Sequence, residues 1–152
     1  MTTNEVLIKQ NFLTKILLKS GETELNKGLK VKVMAMRIEY AKVRKNFDED
    51  VQEFVKNLST DRLKELQQIP EADRTDDQKI ELQQLTDKVN SDYAAYVAER
   101  GNETVEVKRK SFTQDEYDQL VEVNADNDVE INGTKLNAAD FLEILYSLFV
   151  EE

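Results

Sequence analysis

Between Leu29 and Leu58 the apolar residues return every third or fourth position: Leu29, Val33, Met36, Tyr40, Val43, Phe47, Val51, Phe54 and Leu58. That spacing places all nine on one stripe of an α-helix, and no other regular structure produces it over such a length. The chain has a single proline, Pro70, and four glycines, so only Gly28 interrupts the stretch. The spacing predicts one long helix from about Glu22 to Leu58, with Gly28 the point where it would break. At about 1.5 Å per residue such a helix runs beyond ~40 Å. A helix of this length needs a hairpin or bundle partner, or an arm whose surplus apolar face meets another chain.

The partner helix is visible downstream. Thr75 and Gln78 have the spacing of a capping box, in which each side chain satisfies a backbone N–H that the helix start leaves open. The helix they open carries Leu82, Leu85, Val89, Tyr93 and Tyr96 on one face and ends near Gly101. Between the two, Ser59, Thr60 and Asp61 offer N-caps for a short helix bearing Leu63, Leu66 and Ile69, which Pro70 ends. The expectation is an antiparallel helical hairpin over residues 22–101, with Tyr40, Phe47, Phe54, Tyr93 and Tyr96 packed between its arms.

The flanks follow the same local rules. Thr2 and Glu5 form a capping box for a first helix whose face is Ile8, Phe12, Leu13, Ile16 and Leu17, with Lys19-Ser20-Gly21 as its cationic last turn and left-handed stop. Past the hairpin, Thr104 to Ser111 alternates at Val105 and Val107 like a short strand, and Lys108-Arg109-Lys110 marks it as an exposed edge. Phe112-Thr113-Gln114-Asp115-Glu116-Tyr117 combines a capping box with a hydrophobic staple and opens a helix ending near Val123. Val129–Ile131 and Thr134–Leu136 flank Asn132-Gly133, the signature of a β-hairpin. Asn137 caps a final helix with Phe141, Leu142, Leu145 and Phe149 facing the core. The fold class expected is mainly α with a minor β part: a long helical hairpin, N-terminal and C-terminal helices and a small β-hairpin. All belong to a single domain, 1–152, with residues 102–152 as its C-terminal α/β subregion.

Chemistry is narrowed by what is missing. With no cysteine there is no disulfide, thiolate nucleophile or Cys-type metal site, and with no histidine the commonest general base and transition-metal ligand is gone. The expectation is a protein that is not an enzyme and takes no cofactor. Asn124-Ala125-Asp126-Asn127-Asp128 begins like a calcium loop, but Val129 stands where that loop needs glycine and Lys135 where it needs a bidentate Glu. A capping turn is the plainer reading. Asp126 and Asp128 are the ligands a carboxylate-based metal enzyme would have to use. The glycines are isolated, so no loop cradles phosphate.

Charge is unevenly placed. Met1 to Asn46 carries ten basic and four acidic residues, net +6, and the remainder eleven basic and 27 acidic, net −16. Opposed ends suit head-to-tail contact between copies or a basic end facing an acidic partner. The cluster Lys42, Arg44 and Lys45, with Lys30, Lys32 and Arg37 upstream, could meet phosphates, but it alternates with acids on an acidic chain, and nucleic acid is not an expected partner. The candidate interaction residues are therefore the apolar Val33, Met36, Tyr40, Val43, Phe47 and Phe54 with the basic Lys42, Arg44 and Lys45. Lys9, Lys15 and Lys19 interrupt the first apolar stretch and no small-residue cleavage site follows, so neither signal peptide nor membrane span is expected.

The segment Val31-Lys32-Val33-Met34-Ala35-Met36-Arg37-Ile38-Glu39-Tyr40 resembles, together with the acidic hairpin and the closing Asn132-Gly133-Thr134-Lys135-Leu136-Asn137-Ala138-Ala139-Asp140-Phe141-Leu142, small uncharacterised proteins encoded among the structural genes of tailed bacteriophages, including crAss-like gut phages. The resemblance is one of style and order across most of the chain. It implies a connector, tail or capsid-associated protein, or an assembly factor, located in the virion or the host cytoplasm. Its partners would be other phage structural proteins or further copies of itself. The alternative is a small acidic inhibitor or chaperone that shields a basic host or phage protein.

Overall fold

The computed structural model describes residues 1–148. Its helices are α1 (Thr3–Lys15), α2 (Lys27–Leu58), α3 (Asp61–Gln68), α4 (Asp76–Asn102), α5 (Gln114–Val123) and α6 (Ala138–Ser147). Two antiparallel hairpins, β1 (Lys19–Ser20) with β2 (Thr23–Glu24) and β3 (Glu130–Ile131) with β4 (Thr134–Lys135), make the chain mainly α with a minor β part. The chain divides into two compact units, Met1–Lys45 with the chain from Thr104, and Asn46–Glu103. The N-terminal helix and the C-terminal subregion share one core within the first unit.

Helix starts follow the capping chemistry. Thr2, Thr75 and Thr113 each accept from the backbone N–H three residues on, while Glu5, Gln78 and Glu116 reach back to the capping residue's own N–H. Thr60 and Asn137 cap α3 and α6 through their side chains alone. Asn26 Oδ1 accepts from the Leu29 N–H at 2.8 Å and starts α2, which runs unbroken through Gly28.

The first unit is built on α1, the first half of α2, α5 and α6. Val6, Phe12, Leu13 and Ile16 meet Leu29, Val33, Met36 and Tyr40, with Phe112, Leu120, Val123, Val129, Ile131, Leu145 and Leu148 completing the core. Phe12 and Phe141 pack with ring centroids 5.1 Å apart. Three expectations change here. Lys19-Ser20-Gly21 does not end α1, which stops at Lys15; Gly21, at φ +56°, instead turns the β1–β2 hairpin. Thr104–Ser111 is no strand: Thr104 makes an isolated bridge to Thr2 and the Val105 N–H donates to the Met1 carbonyl, but no ladder continues from them among the described residues. Leu142 is exposed, since the face of α6 turned to the core carries Phe141, Ile144, Leu145 and Leu148; the expected Phe149 lies outside the described residues. The second hairpin matches expectation, with Asn132 and Gly133 both at positive φ as a two-residue turn demands.

The second unit holds the rest of α2, α3, a 3-10 turn at Glu71–Asp73, and α4. Phe54 stacks on Tyr96 with centroids 3.9 Å apart and planes within 4°, and Asp50 pairs with Arg100. The residue numbers of both pairs sum alike, so these stretches of α2 and α4 run antiparallel. The hairpin expected over 22–101 thus exists only from Asn46 onward, because Tyr40 is committed to the core of the first unit. Arg62 forks onto both carboxylate oxygens of Glu81, at 2.8 and 2.7 Å, and Arg74 Nε and Nη2 donate to the Leu66 and Gln67 carbonyls at the end of α3.

Candidate interaction surface on α2

Within the first unit α2 is apolar on two sides. Leu29, Val33, Met36 and Tyr40 form the buried side, none more than 1% exposed. Val31, Met34 and Ile38 recur at intervals of three and four on the opposite side, where they are 61, 44 and 57% exposed. Helical spacing puts Lys27 beyond one end of this stripe and Lys42 and Lys45 beyond the other, all exposed. Scattered single apolar residues on a surface need no explanation, but three in register on a helix whose other side is already sealed form a continuous contact face.

The interaction residues expected from sequence are distributed differently. Val33, Met36 and Tyr40 are buried in this chain's own core and offer nothing to a partner, because α1, α5 and α6 cover the face they share. Val43 packs half-buried against the same core; Phe47 and Phe54 belong to the second unit, half-buried, the latter under Tyr96. The stripe they mark is the structural side of the helix. The back stripe, missed because one periodicity masked the other, has its own signal in the sequence, Val31-x-x-Met34-x-x-x-Ile38.

The basic cluster also turns inward. Arg37 Nε donates to the Leu13 carbonyl at 2.6 Å and Nη2 to the Ile16 carbonyl at 2.9 Å, closing the open C-terminus of α1. Partial burial depresses the Arg37 pKa. Arg44 Nε donates to Gln10 at 2.6 Å and Nη2 to the Leu7 carbonyl at 3.2 Å. Lys32 pairs with Glu116 at 2.7 Å, Lys30 with Glu24, and Lys42 with Glu39 at 2.8 Å. Glu39, bonded to Lys42 and near Lys108 and Lys110, is held below the usual carboxylate range. A row that reads as a cationic stripe is thus largely a set of struts from α2 to its neighbours.

The calcium-like segment is a bracket. Asn124, 4% exposed, accepts the Leu17 N–H at 2.6 Å and donates to the Leu17 carbonyl at 3.1 Å and the Leu120 carbonyl at 2.9 Å. Asn127 donates to Asn124 Oδ1 at 2.9 Å and to the Lys15 carbonyl at 3.1 Å, and Asp128 pairs with Lys135 at 2.8 Å. These bonds fasten the segment after α1 to the end of α5. Among the described residues no three acidic side chains gather as a metal site would require.

Grooves are also present among the described residues. One of about 420 Å³ lies among Val121, Val129, Leu136, Phe141 and Leu142, rimmed by Asn127 and Lys135. A second, about 520 Å³, is lined by Met1, Glu39 and Val105–Arg109. A third of about 240 Å³ lies in the second unit between Leu58, Leu63, Leu85 and Val89. The second holds two carboxylates, Glu39 and Glu106, beside Lys108 and Arg109. Among the described residues no helix is long and apolar enough to cross a membrane. No protein-family model, curated protein or solved structure matches this chain.

Proposed function

We propose that the chain is a non-enzymatic interaction protein that docks on a larger assembly through the outer stripe of α2. The observation that carries this reading is the second apolar side of α2, Val31, Met34 and Ile38, exposed while the opposite side is sealed. The complementary partner surface is an apolar helix or groove with a carboxylate placed to meet Lys27, which is exposed beyond one end of the stripe. The phage resemblance supplies the setting: a virion component or assembly factor whose partner is another structural protein of the particle.

Mixing the chain with the structural proteins of a tailed phage that encodes it, followed by size exclusion with light scattering, is the direct test. The expected result is a stable complex that Ile38→Asp abolishes while the far-ultraviolet circular dichroism of the variant stays that of the parent. Absence of a complex, or a complex indifferent to charge at position 38, overturns the reading. The inhibitor alternative draws on the second unit, where fifteen acidic against seven basic residues give net −8 between Asn46 and Glu103. Its mark would be a 1:1 complex with a basic nuclease or polymerase that dissolves as salt rises.

A further inference from the structure

Thr104 bridges Thr2 in antiparallel sense and the Val105 N–H donates to the Met1 carbonyl at 2.9 Å, but the pairing then stops. Among the described residues no hydrogen bond uses the backbone of Glu106 to Lys110. Burial nevertheless alternates: Val105 and Val107 are half-buried against the core of the first unit, and Glu106 and Lys108 are exposed. This is the pattern of extended backbone with one covered face. In such a backbone successive residues aim their N–H and C=O groups at opposite edges. Val105 uses the edge where Met1 lies, so Glu106 and Lys108 present theirs on the other, where nothing receives them. An open edge of this kind is a template for another strand.

We propose that the strand it receives is the same segment of a second copy, antiparallel, with the two-fold axis at Val107. Charge selects both occupant and register. With Val107 opposite Val107, Glu106 faces the partner's Lys108, and the two-fold axis repeats that pair. These residues are also the ones whose backbone groups lie on the free edge, so each pair exchanges two N–H···O=C bonds. Moving the axis to Lys108 pairs Glu106 with the partner's Lys110 but sets Lys108 against Lys108 at the centre, and moving it to Glu106 sets Glu106 against Glu106, so in both the central pair is one of like charges. The basic run at Lys108-Arg109-Lys110, whose Lys108 and Lys110 already lie near this chain's own Glu39, meets the partner's Glu106 through Lys108 in this register.

This surface is separate from the outer stripe of α2, so the two proposals fail independently. Light scattering coupled to size exclusion is expected to give twice the 17.6 kDa chain mass for the full chain. Glu106→Lys and Lys108→Glu each place like charges in opposition, twice, and should halve that mass. The variant carrying both restores opposite charges and should return to the doubled mass. A single-chain mass for the parent, a single variant that stays doubled, or a double variant that stays single overturns the proposal. All three variants change exposed side chains outside the helices, so coincident circular dichroism spectra are expected throughout. Ile38→Asp should leave the doubled mass intact; a dimer lost in that variant and kept in Glu106→Lys assigns self-association to α2 and sinks the β pairing.

Discussion

The two units use the same kind of amphipathic helix and reach opposite results. In the first, short helices and hairpins close around α2 until Val6, Phe12, Leu29, Met36 and Tyr40 lose essentially all contact with water. In the second, Leu63 and Leu66 are the large apolar side chains that become buried among the described residues, while Val51, Phe54, Leu58, Leu82, Leu85, Val89 and Tyr96 stay half-exposed. Two or three helices cannot enclose a core that six elements can, because each leaves a flank of its stripe open. What holds the second unit is correspondingly local: one aromatic stack, the Arg62 and Arg100 ion pairs, and caps at Thr60 and Thr75. Enclosure in one unit and edge contacts in the other imply different responses to damage.

The largest expected effect tests enclosure. Asn124→Ala strips the side-chain partner from the Leu17 N–H and carbonyl and leaves the Leu120 carbonyl with the backbone N–H of residue 124 alone, and a part-buried group left unpaired costs about 1–3 kcal/mol. Hydrogen exchange should therefore accelerate in α1 and α5 while the amides of α4 between Leu82 and Tyr96 keep their parent rates. Equal acceleration in both units would erase the distinction drawn here.

A smaller effect tests the edge contacts. A double-mutant cycle on Phe54→Ala and Tyr96→Ala should return a coupling of about 0.5–1.5 kcal/mol in chemical denaturation, the worth of an aromatic pair beyond its buried area. That coupling should be insensitive to salt, whereas the exposed Arg62–Glu81 pair is screened. No measurable coupling would mean that the rings merely coincide and that ion pairs and caps hold α2 to α4 in this unit.

Legibility in the sequence followed the range of the interactions. The capping boxes at Thr2, Thr75 and Thr113 and the Asn132-Gly133 turn involve residues at most a few positions apart, and each forms as its spacing implied. The burial of Leu29 to Tyr40 was equally plain, but its coverer was not: periodicity says that a face is hidden without saying by what, and α1, α5 and α6 took the place expected for α4. Gly21 was ambiguous because a helix stop and a hairpin turn both want positive φ, and only the pairing of Lys19 with Glu24 decides between them. The roles of Arg37, Arg44 and Asn124 depend on carbonyls 21 to 107 positions away, and no local pattern announces them. For the same reason a row of cations that resembled a binding site became bracing, and the exposed stripe beside it was overlooked.

The smallest effect is the most selective, because it turns on one difference between the caps of the two units. The boxes that open α1 and α5 use Glu5 and Glu116 as the returning side chain, whereas the box that opens α4 uses the neutral Gln78. The Thr2 N–H bonded to Glu5 at 2.7 Å holds that carboxyl below its ordinary range. Burial pushes Glu116 up, yet the bonds from Lys32 and from the Thr113 N–H outweigh it and leave it low. A carboxyl whose folded pKa is depressed stabilises fully above its unfolded value, near 4.5, and that contribution fades as pH falls through the lowered folded value. Acidification should thus release the starts of α1 and α5 before global unfolding, seen as titrating amide shifts for Thr2 and Thr113. The Thr75 amide, bonded to the neutral Gln78 at 2.9 Å and followed by Asp76 and Asp77, reports no cap carboxylate and should respond identically whether or not Glu5 and Glu116 are present. Glu81, held low by Arg62, titrates in the same window but ends on a side chain and leaves the start of α4 untouched. Glu5→Gln with Glu116→Gln should flatten the first two curves while keeping the caps, since an amide oxygen still accepts both N–H groups. A Thr75 titration curve altered by those two substitutions would show that the two units melt together, and that the edge contacts of the second depend on the enclosure of the first.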